Sequence, residues 1–222
     1  MHRFLRDNGL SLVVATLFAL MMWGQTETGW HVYNEERAEH AQPAVSLPAY
    51  LTTGHFLEAT AENWESEFLQ MAAYVVLTAV LFQRGSAESK SPDGKEEVDR
   101  KPVPAPRRRN APWPVRRGGW VLKLYEHSLS LAFLLLFLTC IALHAIGGVR
   151  AYNEEQLQQG GQAMTLLQYV KGARFWFESL QNWQSEFLAI LCMVVLSIFL
   201  RQRGSPESKP VDAPHSATGS DQ

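Results

Sequence analysis

Six glutamates fall into two matching sets. Glu35, Glu36 and Glu67 recur at a shift of 119 residues as Glu154, Glu155 and Glu186. Glu67 and Glu186 each stand directly before an apolar run, one helical turn after Asn63 and Asn182. Carboxylates gathered at the edge of an apolar region offer oxygen ligands to a hard divalent cation, or a site that takes up and releases a proton. The plainer alternative is that they are solvated, or accept hydrogen bonds from Asn, Trp or Tyr of a neighbouring helix and fix its position. The residues around them recur as well: Tyr33-Asn34 as Tyr152-Asn153, and Asn63-Trp64 as Asn182-Trp183. These aromatics can wall a ligand cleft, or sit at headgroup level as anchors between helices.

His144 is one of few ionisable residues within the apolar runs, which makes it the candidate intramembrane polar group. Its counterpart 119 residues earlier is Gln25, and no second histidine lies near it in sequence, so no metal site is expected. Cys140 and Cys192 both lie in apolar runs without a Cys-x-x-Cys neighbour, which reads as packing. The chain has no phosphate-binding glycine loop, no His-Glu-x-x-His and no Gly-x-Ser-x-Gly. No catalytic residue and no cofactor is therefore expected. A hydrolase built on paired carboxylates is the weakest of the readings considered.

What must position these groups is a duplicated frame. Aligning residues 3–90 with 122–209 gives 32 identities in 88 positions without a gap, the signature of an internal repeat. The densest match is Gln83-Arg84-Gly85-Ser86-Ala87-Glu88-Ser89-Lys90 against Gln202-Arg203-Gly204-Ser205-Pro206-Glu207-Ser208-Lys209. Seven matches in eight exceed what stopping a helix requires, so Arg84 and Arg203 are candidates for docking a cytoplasmic protein or an anionic lipid.

Each copy reads as a helical hairpin. Leu10–Trp23 and Leu129–Ile146 are nearly unbroken apolar runs, and the second lies mid-chain, where no signal peptide can be. In the first copy Trp30, Tyr33 and Arg37 are spaced to share one helical face, Pro43 closes that helix, and Ser46-Leu47-Pro48 caps a short one. Gly54 then precedes a helix over about 55–82. The apolar part of this helix is short for a span. The whole helix, at roughly 42 Å for 1.5 Å per residue, is long enough to cross and project beyond the bilayer, with Trp64 at the boundary. Its counterpart covers about 173–200, with Trp176 and Trp183 at the boundary. The predicted fold is an all-α membrane protein with four transmembrane helices as two tandem hairpins. Repeat 1 covers 3–90, with spans about 9–24 and 66–83. Repeat 2 covers 119–209, with spans about 128–147 and 185–201.

Between the repeats, 91–118 is rich in proline and charge (Pro92, Pro102, Pro104, Pro106, Pro112; Arg107-Arg108-Arg109) and reads as a disordered linker. The tail 210–222 reads the same way. Residues 84–123 hold eleven lysines and arginines, whereas 25–67 hold only Arg37. The positive-inside rule then puts both termini and the linker in the cytoplasm and the Tyr-Asn-Glu-Glu segments outside. Two hairpins of one orientation make a parallel repeat. Apolar residues are 46 % of the chain and the net charge is −2, a balance that argues against nucleic acid as the main partner.

The repeated Tyr-Asn-Glu-Glu, Asn-Trp-x-Ser-Glu-Phe-Leu and Gln-Arg-Gly-Ser-x-Glu-Ser-Lys segments, with Pro112-Trp113-Pro114-Val115-Arg116-Arg117-Gly118-Gly119 between them, resemble a family of uncharacterised bacterial membrane proteins catalogued as a domain of unknown function. The resemblance implies a multi-pass protein of the bacterial cytoplasmic membrane and brings no activity or site with it. From the residues, the expected role is non-enzymatic, in interaction or envelope maintenance. The expected partners are the lipid bilayer, a second copy of the chain, and a cytoplasmic protein or anionic lipid at the basic linker. The alternative is a small carrier or channel with a carboxylate-lined site for a cation or proton.

Overall fold

The computed structural model describes residues 2–105, 108 and 110–219. Pro106, Arg107 and Arg109 of the linker and the last three residues of the tail lie outside the described residues. The described residues are helices, one 3-10 turn (Glu97–Asp99) and irregular connections, with no strand among them. In chain order the helices are α1 (His2–Glu39), α2 (Leu47–Tyr50), α3 (Gly54–Val80), α4 (Trp113–Arg117), α5 (Gly119–Glu126), α6 (Ser128–Gln158), α7 (Leu166–Lys171) and α8 (Ala173–Phe199).

Three of these, α1, α6 and α8, are long and apolar enough to cross a membrane. Of their most apolar stretches only 0 %, 17 % and 6 % of residues are buried, so these helices turn leucine, valine and phenylalanine outward along their length. Such a surface suits hydrocarbon and not water. Helix α3 has the length, at 27 residues, but Glu58, Glu62, Glu65 and Glu67 interrupt its first half.

Local boundaries follow the sequence closely. The first apolar run and the polar segment after it form one unbroken helix, α1, instead of two elements. Ser46 is the N-cap of α2 with proline in its first turn, and Thr165 occupies the same place before α7, where its hydroxyl accepts from the Gln168 amide (3.3 Å).

The chain folds into two compact units whose edges fall inside α3, α6 and α8. One comprises Met1–Ala61 and Ala142–Trp176, the other Glu62–Ile141 and Phe177–Gln222. The core of the first is aromatic. Tyr33 and Tyr50 lie 5.6 Å apart, Tyr50 and Phe56 5.5 Å, Tyr152 and Tyr169 6.2 Å, and Tyr169 and Phe175 5.8 Å between ring centroids. Two glycines admit these rings. A Cβ at Gly29 would strike the Tyr50 hydroxyl, and one at Gly148 would strike that of Tyr169.

In the second unit, Phe68 faces Phe133 and Phe137 meets Trp183 edge-on. Both Gln-Arg-Gly-Ser-x-Glu-Ser-Lys segments fold as the same turn. Gly85 and Gly204 each adopt φ +86°. Ser89 Oγ accepts from the Gln83 amide (2.8 Å) and Ser208 Oγ from the Gln202 amide (2.9 Å). Ser86 and Ser205 accept from the amides of Glu88 and Glu207 (3.1 and 3.2 Å). Part of the near-identity of the octets therefore has a local cause, because two serine hydroxyls in each close the turn.

Order in the linker and tail has named causes too. Arg84 makes a two-pronged ion pair with Asp93 (2.6 and 2.8 Å), and Lys90 pairs with Asp99 (2.6 Å). These cations hold both carboxyls below the usual carboxylate range, through their hydrogen bonds above all. Composition predicts disorder from residue 210 onward. Up to Gly219, however, the tail wraps the buried Lys209 ammonium, which donates to the carbonyls of Gly85, Pro214, His215 and Ala217. A buried cation demands such acceptors, and here the tail backbone supplies three of the four.

Candidate functional site

The Tyr-Asn-Glu-Glu segments are built around their asparagines. Asn34 takes the Val45 amide proton on Oδ1 (2.8 Å) and donates Nδ2 to the Val45 carbonyl (3.1 Å). Asn153 does the same to Met164 (2.8 and 2.9 Å). Each clamp reaches eleven residues along the chain and satisfies both backbone groups of one residue in the return loop. Trp30 adds a bond to the Val45 carbonyl (2.8 Å) and Arg37 one to Pro43 (2.9 Å), so two members of the predicted Trp30, Tyr33 and Arg37 face grip this loop.

The glutamates divide by role. Glu154 accepts from the Tyr33 hydroxyl (2.7 Å) and from Arg37 (3.1 Å), tying α1 to α6. Burial first, then the hydrogen bond to Glu154, push the Tyr33 phenol up to about 12. Glu155 accepts from Arg174 (2.8 Å), whose guanidinium lies 5.2 Å from the Tyr152 ring centroid. Burial, with a smaller contribution from the Glu36 charge, raises the Tyr50 phenol. Glu35 and Glu36 themselves are exposed.

In the second unit Asn182 donates to Glu62 (2.6 Å) and Trp183 Nε1 to the fully buried Glu65 (3.2 Å). Gln70 donates to the backbone carbonyl of Glu186 (2.9 Å), while Glu67 is exposed. The Asn63 carbonyl accepts from Ser66 (2.7 Å), and Trp64 is half-buried. Arg84 is engaged by Asp93, and Arg203 is exposed. Of the six glutamates matched by the repeat, Glu35, Glu36, Glu154 and Glu155 belong to the first unit and Glu67 and Glu186 to the second. Glu62 and Glu65, whose counterparts are glutamines, are the acceptors that the matched set left out. Their signal in the sequence was their place beside Asn63-Trp64, a half-turn from residues already chosen.

The matching model is that of the domain of unknown function DUF6766, over residues 1–220. The chain belongs to this family. No curated protein and no solved structure matches it. The match covers nearly the whole chain and assigns it no chemistry.

Two further groups meet in the first unit. His144 is fully buried, and its imidazole stacks on Phe175 at 4.9 Å. A carboxylate oxygen of Glu58 lies within 4.8 Å of an imidazole nitrogen of His144. The Tyr169 hydroxyl donates to that same carboxylate (3.3 Å). Helix α3 can bring Glu58 this close because Gly147, one turn beyond His144 on α6, has no side chain: a Cβ there would strike the Glu58 backbone. His144 was legible in the sequence as a candidate. Glu58 was not, since Phe177 stands at the equivalent position.

A second polar meeting occurs where the octets end. Glu88 accepts from the Tyr74 hydroxyl (2.6 Å), and burial together with the nearby Glu207 raises its carboxyl, against the lowering effect of that hydroxyl. Glu88 and Glu207 line an open cavity of about 1180 Å³ that Lys90, Lys95, Glu96 and Asp99 also border.

Proposed function

We propose that the chain is a non-enzymatic integral membrane protein with an interaction or envelope-maintenance role, in which four spans are arranged as two tandem hairpins. The observation that carries this reading is the use made of the carboxylates. Glu62, Glu65, Glu154 and Glu155 each accept a bond from a specific Asn, Trp, Tyr or Arg of their own unit. Acceptors engaged in this way fix helices, and a transport site needs oxygens left for its ion.

The two-hairpin arrangement is supported by the 32 matched positions and by bonds that recur 119 residues on: the asparagine clamps, the tyrosines seated on glycine, and the octet turns. The fourth span is α3, whose apolar second half follows its glutamates. The Lys and Arg distribution supports cytoplasmic termini and linker, in a bacterial cytoplasmic membrane. Beside that linker, α4 and α5 expose Trp113, Trp120 and Leu124 among Arg116, Arg117 and Lys123, a composition suited to anionic headgroups.

Thermal unfolding in detergent tests the reading. Glu65→Gln and Glu154→Gln should each lower the midpoint, and Mg2+ or Ca2+ should leave the deficit unchanged. Variants at least as stable as the wild type, together with cation flux in proteoliposomes that they abolish, would replace the scaffold by a carrier.

A further inference from the structure

Among the positions where the two halves of the chain differ are two that bring metal-ligating side chains together in the first unit. Position 144 is His where its counterpart is Gln25, and position 58 is Glu where its counterpart is Phe177. In the first half Gln25 makes an ordinary bond to Thr60 (3.3 Å). In the second half the imidazole is fully buried beside a carboxylate. These departures lie 86 residues apart in sequence, yet the α3–α6 crossing at Gly147 puts them within reach of one ion.

We propose that Glu58 and His144 bind a divalent first-row transition metal. Imidazole nitrogen and carboxylate oxygen together suit Zn2+, Co2+ or Mn2+, and the imidazole disfavours the alkaline-earth ions that a purely acidic cluster would take. Ligand atoms within 4.8 Å need only a small side-chain rotation to sit about 2.0–2.2 Å from a shared ion. The surroundings resemble a supporting shell. Tyr169 donates to the carboxylate, and Phe175 packs on the imidazole and fixes its plane. Two protein ligands leave coordination positions for water or a further donor. This site is separate from the carboxylate bonds on which the scaffold reading rests, and the two readings stand or fall independently.

The test uses the full chain in detergent. Equilibrium dialysis against Co2+ and Zn2+ measures stoichiometry, and Co2+ absorption in the visible range reports on coordination. The wild type should take up one ion per chain and show a ligand-field band. His144→Gln installs the side chain found at the equivalent position, and Glu58→Gln keeps the acceptor for Tyr169. Each should retain a cooperative melt and lose both the ion and the band. Tyr169→Phe, which removes the supporting bond to Glu58, should weaken binding by roughly 10–100-fold. Glu35→Gln, an exposed carboxylate, should change nothing. Absence of a bound ion in the wild type, or unchanged binding in folded His144→Gln and Glu58→Gln proteins, would overturn the proposal.

Discussion

The asparagine clamp gives the sharpest test of how this fold is held. Replacing Asn34 by alanine removes two hydrogen bonds, of 2.8 and 3.1 Å, and leaves both backbone groups of Val45 without that partner. The site is half-buried, so water reaches it in part, and a cost of about 1 kcal/mol per bond gives about 2 kcal/mol. For a chain of this size that corresponds to a loss of roughly 4–8 °C in the melting midpoint, read by circular dichroism in detergent. Asn153→Ala should cost a similar amount, because Met164 is held by the same two bonds. Asn34→Asp refines the argument. Ionised, the introduced carboxylate still accepts from the Val45 amide but faces the Val45 carbonyl with no proton to donate. Protonated, it carries one donor and one acceptor and reproduces the amide. Its folded pKa is therefore raised. Stability is restored below the ordinary carboxylate range and lost as pH rises through the folded value. An Asn34→Ala midpoint within about 1 °C of wild type, or an Asn34→Asp protein with no pH-dependent recovery, would refute the reasoning.

Three other perturbations follow from the same contacts. Gly29→Ala drives a methyl group into the Tyr50 hydroxyl and should cost about 1–3 kcal/mol; Tyr50→Phe in the same chain should recover part of it, which a double-mutant cycle measures. Glu88 has its folded pKa raised by burial and by Glu207, so the stability linked to it is present at low pH and lost as pH rises through that raised value. Glu88→Gln should flatten the decline in melting midpoint between acid and neutral pH. Lys209→Met leaves four carbonyls without their donor, and amide exchange in residues 210–219 should speed up while α1 stays protected.

Much of the frame could be read from residue types. The apolar runs, the Ser46 cap, the Gly54 start of α3 and the octet turns all rest on local rules that act within a few residues. What escaped was set by side chains acting over distance. Nothing local marks Asn34 as a clamp on a residue eleven positions away, or Lys209 as the centre around which the tail folds. The tail's composition predicts disorder because composition does not register one buried ammonium and the carbonyls it needs. The carboxylates do not follow the repeat: of those that recur, Glu154 and Glu155 are engaged as acceptors while Glu35, Glu36 and Glu67 are exposed, and Glu62 and Glu65, which do not recur, accept from Asn182 and Trp183. What recurs together with its bonds is the asparagine clamp, the tyrosine seat and the octet turn.

That bias has a physical origin and suggests where function should be sought. A bond that both halves need in order to fold is kept in both, so identity at a shift of 119 residues selects for clamps, seats and turns. A ligand site formed once is invisible to that comparison, because each of its members faces a different residue in the other half. Glu58 against Phe177 and His144 against Gln25 are such members. Phe177 cannot ligate an ion, and Gln25 is satisfied by Thr60, so neither substitution is needed to keep a helix in place. A buried imidazole beside a carboxylate carries a desolvation cost that Gln25 avoids at the equivalent position. An ion bound between them would offset that cost, and the affinity of His144→Gln for Co2+ decides whether it does.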